Sequence, residues 1–494
     1  MLIDTRRIDD PVHVGSPYWV NTTCSPFLAE CGGTCTLGNI APYAIKVDSA
    51  ETVAAGLRFA QEHNIRLTIK NTGHDFLGRS TGRGALALWT HYLKDITFLN
   101  YTSPHYVGPA VKLGAGVQGS EAYEAAKERG LRVAGGDCRS VGLAGGWTQG
   151  GGHGHLGSLY GLGADNTLEF EVVTVAGEHL IVSRTQHEDL FWALSGGGPG
   201  NYAIVLSATI RAHLDGQVAG ARVSFDKDKE KSGLFWQAVD AWLHGLPQLL
   251  DVLGLAVSAI IDNSSFTLDF TTLPDATADE LSAALQPFLD EVAALDIPLT
   301  DNQRHVHPTW LDHYYNFTEP TYATHAANGG RLIPEATLGD PRNRSEILNV
   351  LRHATEVEGA ITGLISGNYS LAAGTAQDRG YSSVVPAWRD SAIHINMVLL
   401  FEPDVSWKEM RRSQELINEW QLQLREIAPN SGAYPNEATY DNVNWKEDYY
   451  GANYGRLLEI KRKYDPSFTL WAHVAVGSDE VWALEPGGRL CTAS

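Results

Sequence analysis

The 494-residue chain has no uninterrupted apolar stretch near the ~18 residues that a bilayer-crossing helix needs, which excludes a membrane-embedded protein. Basic residues are scarce as well. Lys and Arg number 37 against 58 Asp and Glu, a formal charge of −21, and no basic run interrupts the acidic excess. Such a surface repels phosphate backbones and anionic lipid, so neither nucleic acid nor a membrane is an expected partner. A small neutral or polar ligand is. Cysteine is limited to Cys24, Cys31, Cys35, Cys138 and Cys491. The C-x6-C-x3-C spacing of the first three is no zinc pattern, and it reads as a local disulfide with one spare thiol; pairing among Cys24, Cys31, Cys35 and Cys491 stays open. The chain has no internal repeat and no low-complexity tract.

What is present is ordinary globular material, with 43% hydrophobic and 19% charged residues. The length predicts two to four compact units. N-x-S/T sequons begin at Asn21, Asn100, Asn263, Asn316, Asn343 and Asn368, more than chance supplies. With the cysteine cluster they point to a secreted, N-glycosylated protein, expected to be a monomer. The opening MLIDTRRIDD has no apolar core, so a secretory leader was removed or never existed.

After an N-terminal arm (1–37), Asp48-Ser49 opens an expected helix with Glu51 as its capping-box partner, followed by the short buried strand LTIK (67–70). A second such unit runs from AVKLGAG (110–116) through a helix capped by Ser120 and ended by Gly130. FEVVTVAG and EHLIVS read as a hairpin, and EDLFWALSGGGPGNYAIV as a helix, a glycine turn and a strand. A boundary is placed near 215. Residues 216–430 alternate strands such as HINMVLLF with long amphipathic helices, as an antiparallel sheet covered by helices would. Residues 431–494 return to Gly, Asn and aromatic density.

GAGVQG (114–119) fits G-x-G-x-x-G, and alone it suggests a nicotinamide-dinucleotide enzyme; a glycine turn required by sterics is the plainer reading. Seven glycines fall between Gly145 and Gly157, interleaved with Trp147, His153 and His155, which suits a backbone wrapped closely around a ligand. The H-x-H pairs His153/His155 and His305/His307 have metal-ligand spacing but no clear third ligand, so no metal is expected. His74 and Cys138 each end a β-α-β-like unit, in loops with Gly73 and Gly135-Gly136.

KNTGHDFLGRSTG together with GGDCRSVGLAGGWTQGGGHG resembles the FAD-binding region of the vanillyl-alcohol-oxidase and p-cresol-methylhydroxylase superfamily, and within it the berberine-bridge-enzyme-like oxidases of the secreted fungal type. ADNTLEFEVVTVAGE and YYGANYGRLLEIKRKYDP extend the likeness. The resemblance implies an α+β fold: a two-subdomain FAD-binding domain (38–215), a substrate domain (216–430) and a C-terminal segment returning to the first. It implies FAD attached twice, His74 to the 8α-methyl and Cys138 to the 6 position. Lys70-Asn71-Thr72-Gly73-His74 departs from the usual Arg-Gly-Gly-Gly-His. Asn71, Thr72 and Gly73 would turn N–H groups to the pyrophosphate, with Asp75 and Ser80 in the same cofactor-binding loop. Gly142, Gly146, Gly151, Gly152 and Gly154 would line the flavin, Gly200 and Ile204 the adenine end, and Tyr434, Asn436 and Asn453 the isoalloxazine side. The implied reaction is hydride transfer from a CH–OH substrate to flavin, with dioxygen as the second substrate and hydrogen peroxide as product. The resemblance also implies that the residue three after the flavin-linked cysteine gates dioxygen, as in related plant enzymes; here it is compact Val141, which favours access. Glu437 in YPNE is the candidate base, its pKa expected to be raised by an apolar pocket, with Tyr434 beside it; Tyr369, Arg389 and Trp445 compete. A flavin dehydrogenase with another electron acceptor and a flavin-binding protein without catalysis are the alternatives.

Overall fold

The computed structural model describes residues 9–15, 37–228, 230, 232–318, 326–370, 381–402, 405–485 and 487–493. Cys24, Cys31, Cys35 and Asn21 lie outside the described residues. Three sheets and their helices organise the rest.

The first sheet is parallel, in the order β1 (Tyr43–Lys46), β3 (Leu86–Trp89), β2 (Leu67–Lys70). Helix α1 (Ala50–Glu62) crosses between β1 and β2 and buries Val53, Leu57 and Ala60, the face that the spacing predicts. Its cap is Ser49 rather than Asp48: Ser49 Oγ accepts from Thr52 N at 3.2 Å, while Asp48 takes the Thr52 hydroxyl.

The second sheet has five antiparallel strands: β4 (Ile96–Thr102), β5 (Val107–Gly114), β7 (Thr167–Val173), β8 (His179–Ser183) and β9 (Ile204–Arg211), ordered β4-β5-β9-β7-β8. GAGVQG forms the turn from β5 into α2 (Gly119–Lys127). Because β5 pairs antiparallel on both sides, this is no dinucleotide-binding βαβ unit. The glycines are steric: a Cβ on Gly116 would stand 1.9 Å from His91 O. Helix α2 is capped by Gln118, not Ser120, because the Glu121 carboxylate reaches back to Gln118 N at 2.8 Å. A short β6 (Leu131–Arg132), paired with β10 (His213–Leu214), precedes the glycine-rich stretch, and two one-turn helices, α3 (Gly157–Tyr160) and α4 (Gly163–Asn166), follow it. Helix α5 (Glu188–Leu194) precedes the glycine turn into β9.

The third sheet is built from residues 218–400. Its seven antiparallel strands are β11 (Val218–Asp226), β12 (Ala256–Ile261), β13 (Ser265–Pro274), β14 (Leu299–His307), β15 (Ala326–Pro334), β16 (Ile361–Gly367) and β17 (Ser391–Leu400), in the order β14-β11-β13-β12-β16-β17-β15. Along β17, Ile393, Ile395, Met397 and Leu399 face a core shared with Trp236 and Trp242 of α6 (Ser232–Leu250), Phe288 of α7 (Ala278–Ala294), Leu351 of helix 341–356 and Trp420 of helix 407–427. Strand periodicity sends His394, Asn396 and Val398 to the opposite face. That uncovered face roofs the site. Helix α8 (Trp310–Phe317) packs against α2. No helix among the described residues is long and apolar enough to cross a membrane.

Candidate active site

A cavity of about 430 Å³ lies where the three sheets meet. One wall is the loop after β2 (71–80), facing Pro199, Gly200 and Leu470–Ala472. The floor is the loop 136–149. The roof is the outward face of the third sheet, with Ala326, Asn328, Ile365, Asn396 and Val398, closed by Tyr434–Glu437.

Loop 71–80 is fixed by its own side chains. Asp75 Oδ2 accepts from both the backbone N and the hydroxyl of Ser80 at 2.7 Å. Asn71 Nδ2 donates to Thr90 Oγ1 at 3.1 Å, and Trp89 Nε1 donates to Asn71 O at 3.0 Å. Gly73 sits at φ +95°, and a Cβ there would stand 2.4 Å from His13 O, so glycine is required. His74 is consequently aimed across the cavity, its Nε2 2.9 Å from Ser140 Oγ. Burial first, and the nearby His13 second, push the His74 pKa down to about 3, so its imidazole is neutral at any ordinary pH.

Cys138 carries a free thiol beside the same cavity. Burial, with Asp137 and Glu437 adding negative charge nearby, pushes it up to about 12, so it rests protonated. Val141, Gly142 and Gly146 also line the floor, as do Asn71, Thr72, Gly73, Asp75, Ser80 and Gly200 on the walls and Asn436 above.

Five expected contacts fall outside the lining. A Cβ on Gly154 would stand 1.9 Å from Gly135 O, and one on Gly152 would meet the Trp147 ring at 2.9 Å. These glycines, with Gly151 against Val384, let the chain pack on itself. Ile204 is buried in the core with Leu57 and Leu88, behind the lining residues Gly200 and Ala203. Asn453 Nδ2 donates to Val384 O at 3.0 Å, away from the cavity.

Glu437 is held by side chains from two other parts of the chain. Its carboxylate accepts from His153 Nε2 at 2.9 Å, His394 Nε2 at 3.0 Å and Asn396 Nδ2 at 3.3 Å. The expectation of a raised pKa is corrected here. Burial does push upward, but the charge and hydrogen bond of His153 and the bond from His394 outweigh it, holding the carboxyl well below its ordinary range. In return, His153 is held above its ordinary value against the opposing effect of burial. Tyr434 is fully buried, and its hydroxyl accepts from Asn436 Nδ2 at 2.8 Å. Burial and the Glu437 charge raise it far above a free phenol, so it stays neutral.

The competing candidates sort by geometry. Arg389 forms a bidentate pair with Asp165, 2.8 and 2.6 Å, and Tyr369 packs edge-on against Trp388. Trp445 packs on Tyr450 and Tyr454, and none of the three lines the cavity. His153 and His394 were not expected as carboxylate partners. The alternation His-x-Asn-x-Val along β17 is the signal that a strand projects them to one side. Among the described residues no group of three or more His, Cys, Asp or Glu is arranged to hold a metal ion.

Residues 41–183 match the family model described as FAD binding domain, and residues 433–476 match the one described as berberine and berberine like. The chain is 41% identical over 493 residues to the VAO-type flavoprotein oxidase VAO615 of Thermothelomyces thermophilus, covering 99% of this chain and 84% of that protein. It is 41% identical to the FAD-linked oxidoreductase orf1 of Neocamarosporium betae, covering 98% and 83%. The crystal structure of the VAO-type flavoprotein MtVAO615 from Myceliophthora thermophila superposes with a TM-score of 0.93 at 39% identity, covering 100% of this chain and 89% of that one.

The residues present suit a flavin. The cavity floor is rich in glycine, so backbone approaches closely, and Leu77, Val141 and Trp147 supply apolar contact for an aromatic ring. Asn71 Oδ1 is a buried acceptor without a donor among the described residues, and an isoalloxazine carries an N–H. The chain is an FAD-dependent oxidoreductase and belongs to the VAO-type, berberine-like family of flavoproteins.

Proposed function

We propose that the protein is an oxidase of CH–OH substrates whose FAD is bound covalently at both His74 and Cys138. The observation that carries this reading is that a neutral imidazole, a free thiol and an ionised carboxylate from three distant parts of the chain line one cavity. His74 and Cys138 stand on loops from different sheets, so two attachments would fix a ring between them. FAD, when bound, would supply a hydride acceptor that dioxygen can reoxidise.

The chain's own residues handle the hydroxyl. Glu437 accepts the substrate O–H as a hydrogen bond, and the two imidazoles hold the carboxylate in one orientation. A carboxylate held so far below its ordinary pKa is a weak base. Strength is not needed, because loss of hydride turns the hydroxyl oxygen into a protonated carbonyl, which gives up its proton readily. Tyr434 is neutral and accepts from Asn436 Nδ2, which also donates to Gly146 O at 3.0 Å, so it lines this wall without serving as the base. Val141 lines the floor with a compact side chain, which favours dioxygen access and so an oxidase.

Asn100, Asn263 and Asn316 are exposed, as glycan acceptors must be, which supports secretion; a monomer is proposed with it. The test is flavin fluorescence of acid-precipitated, SDS-separated protein, joined to a peroxide assay over alcohols and carbohydrates. Native protein, His74→Ala and Cys138→Ala should each retain fluorescence, and only the double variant should release its flavin. Flavin leaving native protein with the acid supernatant, or no peroxide from any alcohol, would refute the corresponding half.

A further inference from the structure

The alternation His153-Gly154-His155 places two imidazoles on one short segment, and the cofactor loops use neither. Each meets a different carboxylate that lines the cavity. His153 Nε2 donates to Glu437 Oε1 at 2.9 Å. His155 Nε2 lies 3.5 Å from Asp137 Oδ2 and 3.3 Å from Ser258 Oγ, its ring fixed by stacking on Phe270 with centroids 3.5 Å apart. Gly154 keeps the segment pressed against Gly135, two residues before Asp137. From the other side Tyr314 donates its hydroxyl to Asp137 O at 2.7 Å, so the backbone of Asp137 is also held.

The two carboxylates differ in what remains open on them. Glu437 already accepts three hydrogen bonds, whereas among the described residues the Asp137 carboxylate has one long contact, with 36% of its side chain exposed. Two further polar atoms await a ligand. His153 is only 6% exposed and lines the cavity, and among the described residues neither its Nδ1 nor Asn396 Oδ1 in the roof has a partner. Apolar Ile365 and Val398 flank them.

We propose that Asp137, positioned by His155, is a second substrate-binding carboxylate, so that the site takes a neutral molecule with a second hydroxyl beside the reacting carbinol and rejects carboxylic acids. This deepens the oxidase reading and rests on it for the identity of the reacting group. Glu437 takes the carbinol that is oxidised. Asp137 takes the second hydroxyl, and the like charge of the pair turns anionic analogues away.

Anaerobic calorimetry on the dithionite-reduced, flavin-loaded protein, which can accept no hydride, with 1,2-benzenedimethanol, benzyl alcohol and 2-(hydroxymethyl)benzoate tests this without turnover. One added hydrogen bond to a charged acceptor should make the diol bind at least about tenfold tighter than benzyl alcohol, and the acid should not bind. Asp137→Asn and His155→Gln should reduce the diol preference to about threefold or less. Asp137→Ala serves as a second deletion, with melting temperature recorded for all three. No binding of the diol, no preference in native protein, a preference that survives loss of Asp137, or binding of the acid would overturn the proposal. Native protein that prefers the diol yet is not reduced by it under anaerobic conditions would defeat the oxidase reading and leave the diol site standing.

Discussion

Replacing Glu437 by Gln tests the proposed chemistry at its centre. The carboxylate sits between two imidazole donors at 2.9 and 3.0 Å, with Asn396 Nδ2 at 3.3 Å. A carboxamide has nearly the same volume but only one acceptor oxygen, so its NH₂ must confront one of the imidazole N–H groups. Losing one charge-assisted bond and stranding one donor costs about 2–4 kcal/mol of stability in a site this buried. Losing the acceptor for the hydroxyl proton costs about 10²–10⁴ in the reduction step. The assay is anaerobic stopped-flow reduction, followed at the flavin absorbance, over a pH series. Because the folded pKa of Glu437 lies below its ordinary value, the carboxylate's stabilising contribution is fully present above the ordinary value near 4.5 and is lost only as pH falls through the lower folded value. Native protein should therefore show no loss of reduction rate with an apparent pKa near 4.5. A Glu437→Gln rate within about threefold of native would refute the role, since even one acid–base group contributes at least about 10².

Three other changes follow from the same structure. Asp448 accepts from Arg331 at 2.8 Å and Arg425 at 3.1 Å while 3% exposed, tying the seven-stranded sheet to the C-terminal segment. Asp448→Ala should destabilise by about 3–5 kcal/mol, read from chemical denaturation, since it strands buried guanidinium charge. Gly154→Ala, whose Cβ would stand 1.9 Å from Gly135 O, should displace the loop carrying Asp137 and lower the melting temperature, with an unchanged melting curve and unchanged flavin content counting against the close approach. In protein produced without flavin, the Cys138 thiol, pushed up to about 12, should react with iodoacetamide at pH 8 far more slowly than a free thiol; equal rates would contradict its buried, protonated state.

The loops carrying His74 and Cys138 were legible because their glycines are demanded by backbone geometry, and such demands leave local marks in sequence. The antiparallel sheet of residues 218–400 was legible from strand and helix periodicities alone. Capping residues were off by one or two positions, since Ser49 competes with Asp48, and Glu121 reaches back to Gln118 rather than to Ser120. The direction of the Glu437 pKa was not legible. It depends on His153 and His394, which lie 284 and 43 residues away in the chain and meet the carboxylate only when the third sheet closes over the glycine loop. Ile204 and Asn453 show the same gap: a motif fixes which stretch nears a ligand, but strand register and side-chain direction decide which residue touches it.

The double attachment is tested most directly by intact-mass spectrometry of denatured native protein, followed by proteolytic mapping. The expected result is a mass increase of one FAD, with the His74 and Cys138 peptides joined through a single flavin. An unmodified mass, or a flavin linked to neither peptide, would contradict it.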